Sequence, residues 1–436
     1  MTTKIIDVHC HLFNRHVLTY RIIWNLIKSL KYLTRSFKEQ SKPDENQVNQ
    51  DSVFKSLVEF LEEAFLPEPE NVYKDLLQVY NGDVYIVPLT FDLEYCFESK
   101  SDKSSKKERI KSMQKNFQVI RDDFDKAYYG RHNNNLSVEE NSTIHYYKEK
   151  LDEKIDIAFK SESRLRAFLR RIFSRDKFSL QLREMLKLSD KYPGKIFPFL
   201  AIDPRRKGIF SLLKKYTVTN QKFYGIKIYC PTGYLPTDPL LFDKGGVYDY
   251  CIENNLPVLA HFSGKGFATL SNSLIVSGYQ MIDGKLEAFE KEIVFEKEVY
   301  SDGWIENRAN HLNSPEQWEI VLQNKPGLKL NLAHFGNSND RWHNWLVNAM
   351  QKYKNLYTDL AAYGLPEEIE KVKKLYWDQD SLGIRSQILY GSDFYFNLLF
   401  TKSFDDYYAQ FRKIFSTEDW KELALENTQK FLGFEV

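Results

Sequence analysis

Residues 5–13 read IIDVHCHLF, an apolar run ending in two histidines two positions apart. Along an extended chain side chains alternate between faces, so His9 and His11 are expected on one side with Asp7, and Val8 and Cys10 on the other, against surrounding helices. Two imidazoles at a strand end can reach one ion, because neutral imidazole ligates Zn, Fe and Ni well. The plainer reading of an isolated HxH is a pair of polar residues bonded to loops, so the motif takes its weight from its surroundings.

Seven further β-rich runs follow: Asp83 to Phe91, Lys195 to Ile202, Phe223 to Tyr229, Leu256 to Phe262, Leu328 to His334, Asn355 to Leu360 and Gln387 to Asp393. Each is followed by a longer stretch with helical spacing of its apolar residues, which predicts repeated βα units around a parallel sheet. Eight such units are the number of a (β/α)8 TIM barrel. Segments such as VYIVPLTF and LPVLAHF are almost continuously apolar, as strands covered on both faces should be. Pro88 and Pro198 count against two of them, since proline donates no ladder hydrogen bond.

Three of these runs end in a polar residue: His261 in PVLAHFS, His334 in LNLAHFGN and Asp393 in ILYGSDFYF. Barrel enzymes build their sites from the C-terminal ends of strands. Strand alternation puts His261 on the face of Leu259, His334 on that of Leu332 and Leu330, and Asp393 on that of Gly391 and Leu389. If those faces point inward, these three converge with His9 and His11. Lys227 shares a face with Gly225 and Tyr229. It has three competing roles: a carbamate bridging two metals, a fixed cation for an anionic substrate, or a lysine paired with a carboxylate. One ion is favoured over two, because the sequence offers few further ligands. Tyr229 and the loop from Pro231 to Pro236 are expected to wall the substrate cleft.

The chain reads as one barrel domain over 1–436 with uneven connections. Residues 92–194 form a long helical insertion after the second strand, with helices from Lys106 to Tyr129 and Thr143 to Leu188 split by the loop Gly130 to Ser137. Residues 263–327 form a smaller insertion after the fifth strand, and both are candidate lids. A third excursion runs from Asn14 to Asn81. Sixty-one Lys plus Arg against 60 Asp plus Glu leave a net charge of +1, with no global field for nucleic acid or anionic lipid. A small-molecule substrate is expected. The runs SKSDKSSKKERIK and RLRAFLRRIFSRDK, with Phe168, Phe173 and Phe178, suit an amphipathic helical surface better than an RNA-binding one. Four cysteines without a CxxC pair fit a reducing compartment, hence the cytoplasm. Neither the N-terminus nor the helix from Val17, broken by Arg21, Lys28 and Lys31, reads as a signal peptide or membrane span. A homo-oligomer is compatible with all of this.

The HxH start, the GIKIY strand, the two AHF strands and the GSDF strand resemble the amidohydrolase superfamily. More closely they resemble its amidohydrolase-related branch, which includes aminocarboxymuconate semialdehyde decarboxylase, related non-oxidative decarboxylases and carboxylactone hydrolases. The likeness runs from Lys4 to the closing segment ENTQKFLGF. It implies that His9, His11, His261 and Asp393 bind a divalent metal and that His334 orients or polarises the substrate. Zn is the first expectation, with Mn, Fe or Ni as alternatives, and a second ion only if Lys227 is carbamylated. The insertion 92–194 and the stretch from Lys265 to His311 have no counterpart in that likeness.

The expected reaction is hydrolysis of a C–N amide or lactone-type ester bond, since a bound divalent ion lowers the pKa of water to about 7. Asp393 would act as base and then acid, His334 would stabilise the oxyanion, and Lys227 would hold a substrate carboxylate. The alternatives are metal-dependent decarboxylation and a barrel that has lost catalysis and serves as a binding scaffold.

Overall fold

The computed structural model describes residues 4–14, 60, 63, 66, 68–81, 84–96, 177–219, 221–299, 301–336, 339–399, 401 and 403–436. The chain divides into one compact unit, Met1–Phe97 with Ile172–Val436, and a second, Glu98–Arg171. The second unit lies outside the described residues. With it go the expected helix from Lys106 to Tyr129, the loop after it, the first basic run and most of the second; so does most of the excursion after the first strand.

Eight parallel strands match the eight apolar runs: β1 (Ile5–Cys10), β2 (Val84–Pro88), β3 (Phe199–Ala201), β4 (Gly225–Ile228), β5 (Val258–Ala260), β8 (Leu330–Leu332), β9 (Leu356–Asp359) and β10 (Ile388–Leu389). β1 pairs with β2, and β3-β4-β5-β8-β9-β10 form a second parallel sheet in chain order. The bridges Ile86–Ile196 and Leu89–Phe199 join β2 to β3, and the bridge Cys10–Phe394 joins β1 to the chain beyond β10. This order defines an α/β barrel. The prolines are tolerated at strand ends: Pro88 closes β2, while Pro198, just before β3, contributes a carbonyl to Tyr224 N–H at 2.9 Å.

Helices alternate with the strands. Among them are α1 (Pro69–Val79), α2 (Lys177–Lys191), α3 (Ile209–Lys214), α4 (Val247–Glu253), α5 (Trp304–Leu312), α6 (Pro315–Asn324), α7 (Asp340–Lys352), α8 (Pro366–Val372), α9 (Phe404–Ile414) and α10 (Asn427–Leu432). None of the described helices is long and apolar enough to cross a membrane. The smaller excursion contains an antiparallel hairpin, β6 (Ser273–Ile282) and β7 (Lys285–Val294), followed by α5. Arg308 of α5 is fully buried and donates to the carbonyls of Thr269, Ser271, Lys297 and Trp304 at 2.8–3.3 Å, which ties the excursion together.

One irregularity in β1 corrects the face expected for its side chains. Asp7 pairs with Ile86 but Cys10 with Pro88, so β1 carries an extra residue between them. A bulge of this kind reverses the alternation. Ile6 and Val8 join the inner cluster with Val87, Leu89, Phe199, Leu259 and Leu389 rather than facing helices. The Asp7 carboxylate accepts from the His9 backbone N–H but points away from the two imidazole rings, to Ser392 and to Tyr80 at the end of α1.

The same cluster is closed beneath by the C-terminal helix. Phe431 packs its ring 6.4 Å from that of Phe199 and 5.3 Å from that of Tyr357. Gly225 is required opposite Phe199 on the neighbouring strand, because a Cβ there would meet the Phe199 ring at 2.5 Å. Phe431→Ala should therefore cost about 3–5 kcal/mol through lost burial and the residual cavity, read from the midpoint of urea unfolding.

Candidate metal centre

Five predicted side chains gather at the C-terminal strand ends. His9 Nε2 lies 3.5 Å and His11 Nε2 3.2 Å from Asp393 Oδ1, and the ring centroids of His9 and His334 are 4.9 Å apart. His334 Nε2 faces His261 Nδ1 at 3.1 Å. His334 does not reach this place by alternation with Leu332. β8 ends at Leu332, and the chain turns left-handed at His334 (φ 70°) and Phe335 (φ 49°). Asp393 is left-handed as well (φ 57°). Such backbone costs roughly 1–2 kcal/mol per residue. It is held here by His334 N–H on Asp359 Oδ1 at 3.0 Å and Asp393 N–H on His9 O at 2.7 Å.

The far nitrogen of every ring is tethered to an acceptor. His9 Nδ1 meets Asp359 Oδ2 at 3.1 Å, His11 Nδ1 meets Leu89 O at 3.4 Å, His334 Nδ1 meets Ala361 O at 3.1 Å, and His261 Nε2 meets Lys265 O at 2.9 Å. A neutral ring has one N–H, and these partners assign it to the far nitrogen. Burial, with the nearby Lys227 cation, pushes the His9 pKa down to about 3 and lowers those of His11 and His261, which keeps the three neutral. Burial raises Asp393, but the neighbouring histidines outweigh it, so its carboxyl stays below the usual range and ionised. His9 Nε2, His11 Nε2 and an Asp393 carboxylate oxygen lie close enough together to hold one ion, with the facing His334 and His261 rings beside them. Imidazole and carboxylate donors of this kind fit a divalent ion.

Asp359, the polar residue closing β9, belongs to this centre although the sequence reading passed over it. It accepts from His9 Nδ1, His334 N, Ala361 N and Asn331 Nδ2, all within 3.1 Å. Burial opposes its charge, but the adjoining histidines and these bonds hold its pKa well below the usual carboxylate range. The signal was present: YTDL ends an apolar run in a polar residue just as the other site strands do. Asn313 was missed too; its Nδ2 donates to His261 O at 2.8 Å, and Trp318 Nε1 orients it from α6.

Lys227 and Tyr229 enter from β4. Tyr229 stacks on His261 with centroids 4.1 Å apart, and its hydroxyl accepts from Phe267 N–H at 2.8 Å. Its polar atom is thus engaged within the protein, and its ring orients His261. Lys227 is 1% exposed, and among the described residues its Nζ has no hydrogen-bond partner. Burial pushes its pKa down to about 8 against the pull of Asp359 and Asp393.

Parallel strands with their C-terminal ends gathered around imidazoles and carboxylates define an α/β barrel with a site suited to a metal ion. The amidohydrolase family pattern matches residues 6–434, and the chain belongs to that family. No curated protein matches it in sequence. Among solved structures it is similar to 5-carboxyvanillate decarboxylase from Novosphingobium aromaticivorans, with bound manganese and a nitrobenzoic acid, at 11% identity over 99% of this chain and 97% of that one (TM-score 0.48). It is also similar to a probable 2-pyrone-4,6-dicarboxylic acid hydrolase from Acinetobacter baumannii, at 13% identity over 58% and 78% (TM-score 0.38). A third likeness is 2,6-dihydroxybenzoate decarboxylase from Rhizobium, at 11% over 58% and 76% (TM-score 0.39). At these levels the reaction is left to the site itself.

Asp359→Asn would either turn its amide N–H toward His9 Nδ1 and Asn331 Nδ2, or keep its oxygen there and set the amide against the His334 and Ala361 N–H groups. The first frees His9 to move its proton to Nε2, and the second releases the backbone that aims His334. Metal affinity, measured by competition with a chelating dye, should fall about 10–100-fold while the circular dichroism spectrum is retained.

Proposed function

We propose that this protein is a metal-dependent hydrolase that cleaves a C–N amide or lactone-type ester bond in a small, carboxylate-bearing substrate. The observation that carries this reading is the convergence of His9, His11, His261, His334 and Asp393, beside a buried Lys227 ammonium that has no hydrogen-bond partner among the described residues. His9, His11, His261 and Asp393 would hold the ion, Zn first, with Mn, Fe or Ni also suited to the donors. When bound, a divalent ion polarises the scissile carbonyl and makes water nucleophilic at neutral pH.

The chain's own groups account for the proton movements. Asp393, ionised at neutral pH, takes the proton of the attacking water and returns it to the leaving nitrogen or oxygen. His334 is anchored through Nδ1 to Ala361 O at 3.1 Å, which turns its other nitrogen toward the centre, where it would meet a developing oxyanion. Lys227 Nζ supplies the missing partner for a substrate carboxylate. Four buried cysteines, none of them in a disulfide, suit the reducing conditions of a cytoplasm.

A second reading, decarboxylation, draws on the aromatic side chains around His11: Phe13, Phe91 and Phe396, with centroids 4.6–6.4 Å away. They suit a flat unsaturated acid, whose carboxylate would leave as carbon dioxide while a proton is delivered to carbon. Turnover of metal-loaded protein on lactones, amides and aromatic acids in 18O-water separates the two. One 18O atom in the product acid is expected; loss of carbon dioxide with no label in the remaining product overturns the hydrolase reading.

Asp393→Asn should lower kcat by about 10²–10⁴, the usual worth of a positioned proton-transfer group, as measured in steady-state assays at matched metal content. The ammonium of Lys227 is present below its depressed pKa and lost above it. KM for a carboxylate substrate should therefore be flat below about pH 8. Above that it should rise about tenfold per unit, and Lys227→Met should abolish that limb of the KM–pH profile.

A further inference from the structure

Among the described residues, the hairpin β6–β7 has one edge covered by the barrel and the other bare. Tyr279 N–H on β6 donates to Thr237 Oγ1 at 3.0 Å, and Tyr279 O accepts from Gln317 Nε2 at 3.3 Å. Tyr279 therefore points its backbone groups away from β7, and the directly opposite Ala288 points its own outward, with Leu286, Glu290, Glu292 and Val294 by alternation. No described residue bonds to these outward groups. One side of the hairpin packs through Val276 and Ile293 on Leu235, Leu312 and Phe295. The turn Asp283–Gly284, both residues at positive φ, matches the strand twist and fixes the register.

Most of the large apolar side chains exposed among the described residues lie on this hairpin: Ile275, Met281, Ile282, Leu286 and Val294, with Leu365 the exception. Leu286 and Val294 lie on β7 itself, and an edge strand with unpaired backbone groups is a template for pairing with another strand. The charges of β7 say which strand fits. Laid antiparallel against a second copy of itself about a two-fold axis at Phe289, β7 pairs Glu287 with Lys291 twice, Lys285 with Ile293, Leu286 with Glu292 and Ala288 with Glu290. No like charges are opposed. Moving the axis by one residue opposes Lys285 to Lys291 or Glu290 to itself, and a shift of one further in the latter direction opposes Glu290 to Glu292 and Lys291 to itself. Like charges directly across a strand pair are destabilising. In the favoured register the outward backbone groups of Ala288 and Glu290 pair across the axis, and Lys291, whose Nζ lies 4.7 Å from the Phe289 centroid, stands opposite Glu287 of the other copy.

We propose that β7 is a homodimerisation edge, and that two copies of this chain join their hairpins into one four-stranded antiparallel sheet with the two-fold axis at Phe289. The occupant is a second copy because a self-complementary charge pattern along one strand is what an isologous contact demands.

Sedimentation of the full chain across a concentration series tests this. A monomer–dimer equilibrium is expected. Glu287→Lys or Lys291→Glu alone should weaken it by about tenfold or more, since symmetry reverses two pairs at once, and the double exchange should restore it. Phe289→Cys should form an intermolecular disulfide under mild oxidation, because residues facing each other across a two-fold axis bring their Cβ atoms within reach. A chain that stays monomeric at its highest soluble concentration overturns the proposal. So does a dimer insensitive to either reversal, which would place the contact elsewhere. Amides of Ala288, Glu290 and Glu292 protected from hydrogen exchange independently of concentration also overturn it, because the chain itself would then cover the edge.

Discussion

Each imidazole in the centre can present a lone pair inward only because its other nitrogen is bonded to an acceptor fixed elsewhere in the barrel. For His9 that acceptor is Asp359, which also fixes the backbone of His334 and the amide of Asn331. For His11, His334 and His261 it is a main-chain carbonyl. The tautomers are thus set by atoms that belong to strand ends and loops, and burial keeps the rings of His9, His11 and His261 neutral. Removing these acceptors would leave the imidazoles in place, but it would allow a proton to occupy the nitrogen that faces the centre.

The barrel brings these groups together through departures from regular strand geometry. The bulge in β1 lets Val8 fill the core while His9 and His11 still face the centre. The left-handed residues His334 and Asp393 re-aim side chains that a continued strand would have sent elsewhere. Gly391 allows the last strand to approach β1, since a Cβ there would stand 2.7 Å from His9 Cβ. These irregular positions cluster at the strand ends, where the regular core beneath them, closed by Phe431, can bear the local cost.

Membership of the amidohydrolase family accounts for the barrel and for a centre able to hold metal, while the chemistry depends on what surrounds that centre. Lys227 and the aromatic side chains near His11 are the groups whose surroundings bear on substrate. The hairpin β6–β7 lies in the stretch from Lys265 to His311, for which the sequence resemblance offered no counterpart. Its signal was nonetheless local, an Asp283–Gly284 pair between alternating runs, and a strand-period reading would have found it.

The order of eight apolar runs, and the polar residues ending several of them, were legible in the amino-acid sequence because strand burial and βα alternation are short-range patterns. From these the barrel and the five converging side chains could be named. The faces of Asp7, Val8 and His334 could not, since a bulge or a left-handed turn depends on what the neighbouring strand offers. Nor could the tautomers of the four histidines, the bonding of Asp359 or, among the described residues, the want of a hydrogen-bond partner at Lys227 Nζ. Apart from the local contacts of His261 with Lys265 and of Asp359 with Ala361, those are set by partners tens to hundreds of residues away, and only the closing of the tertiary structure brings a donor to its acceptor.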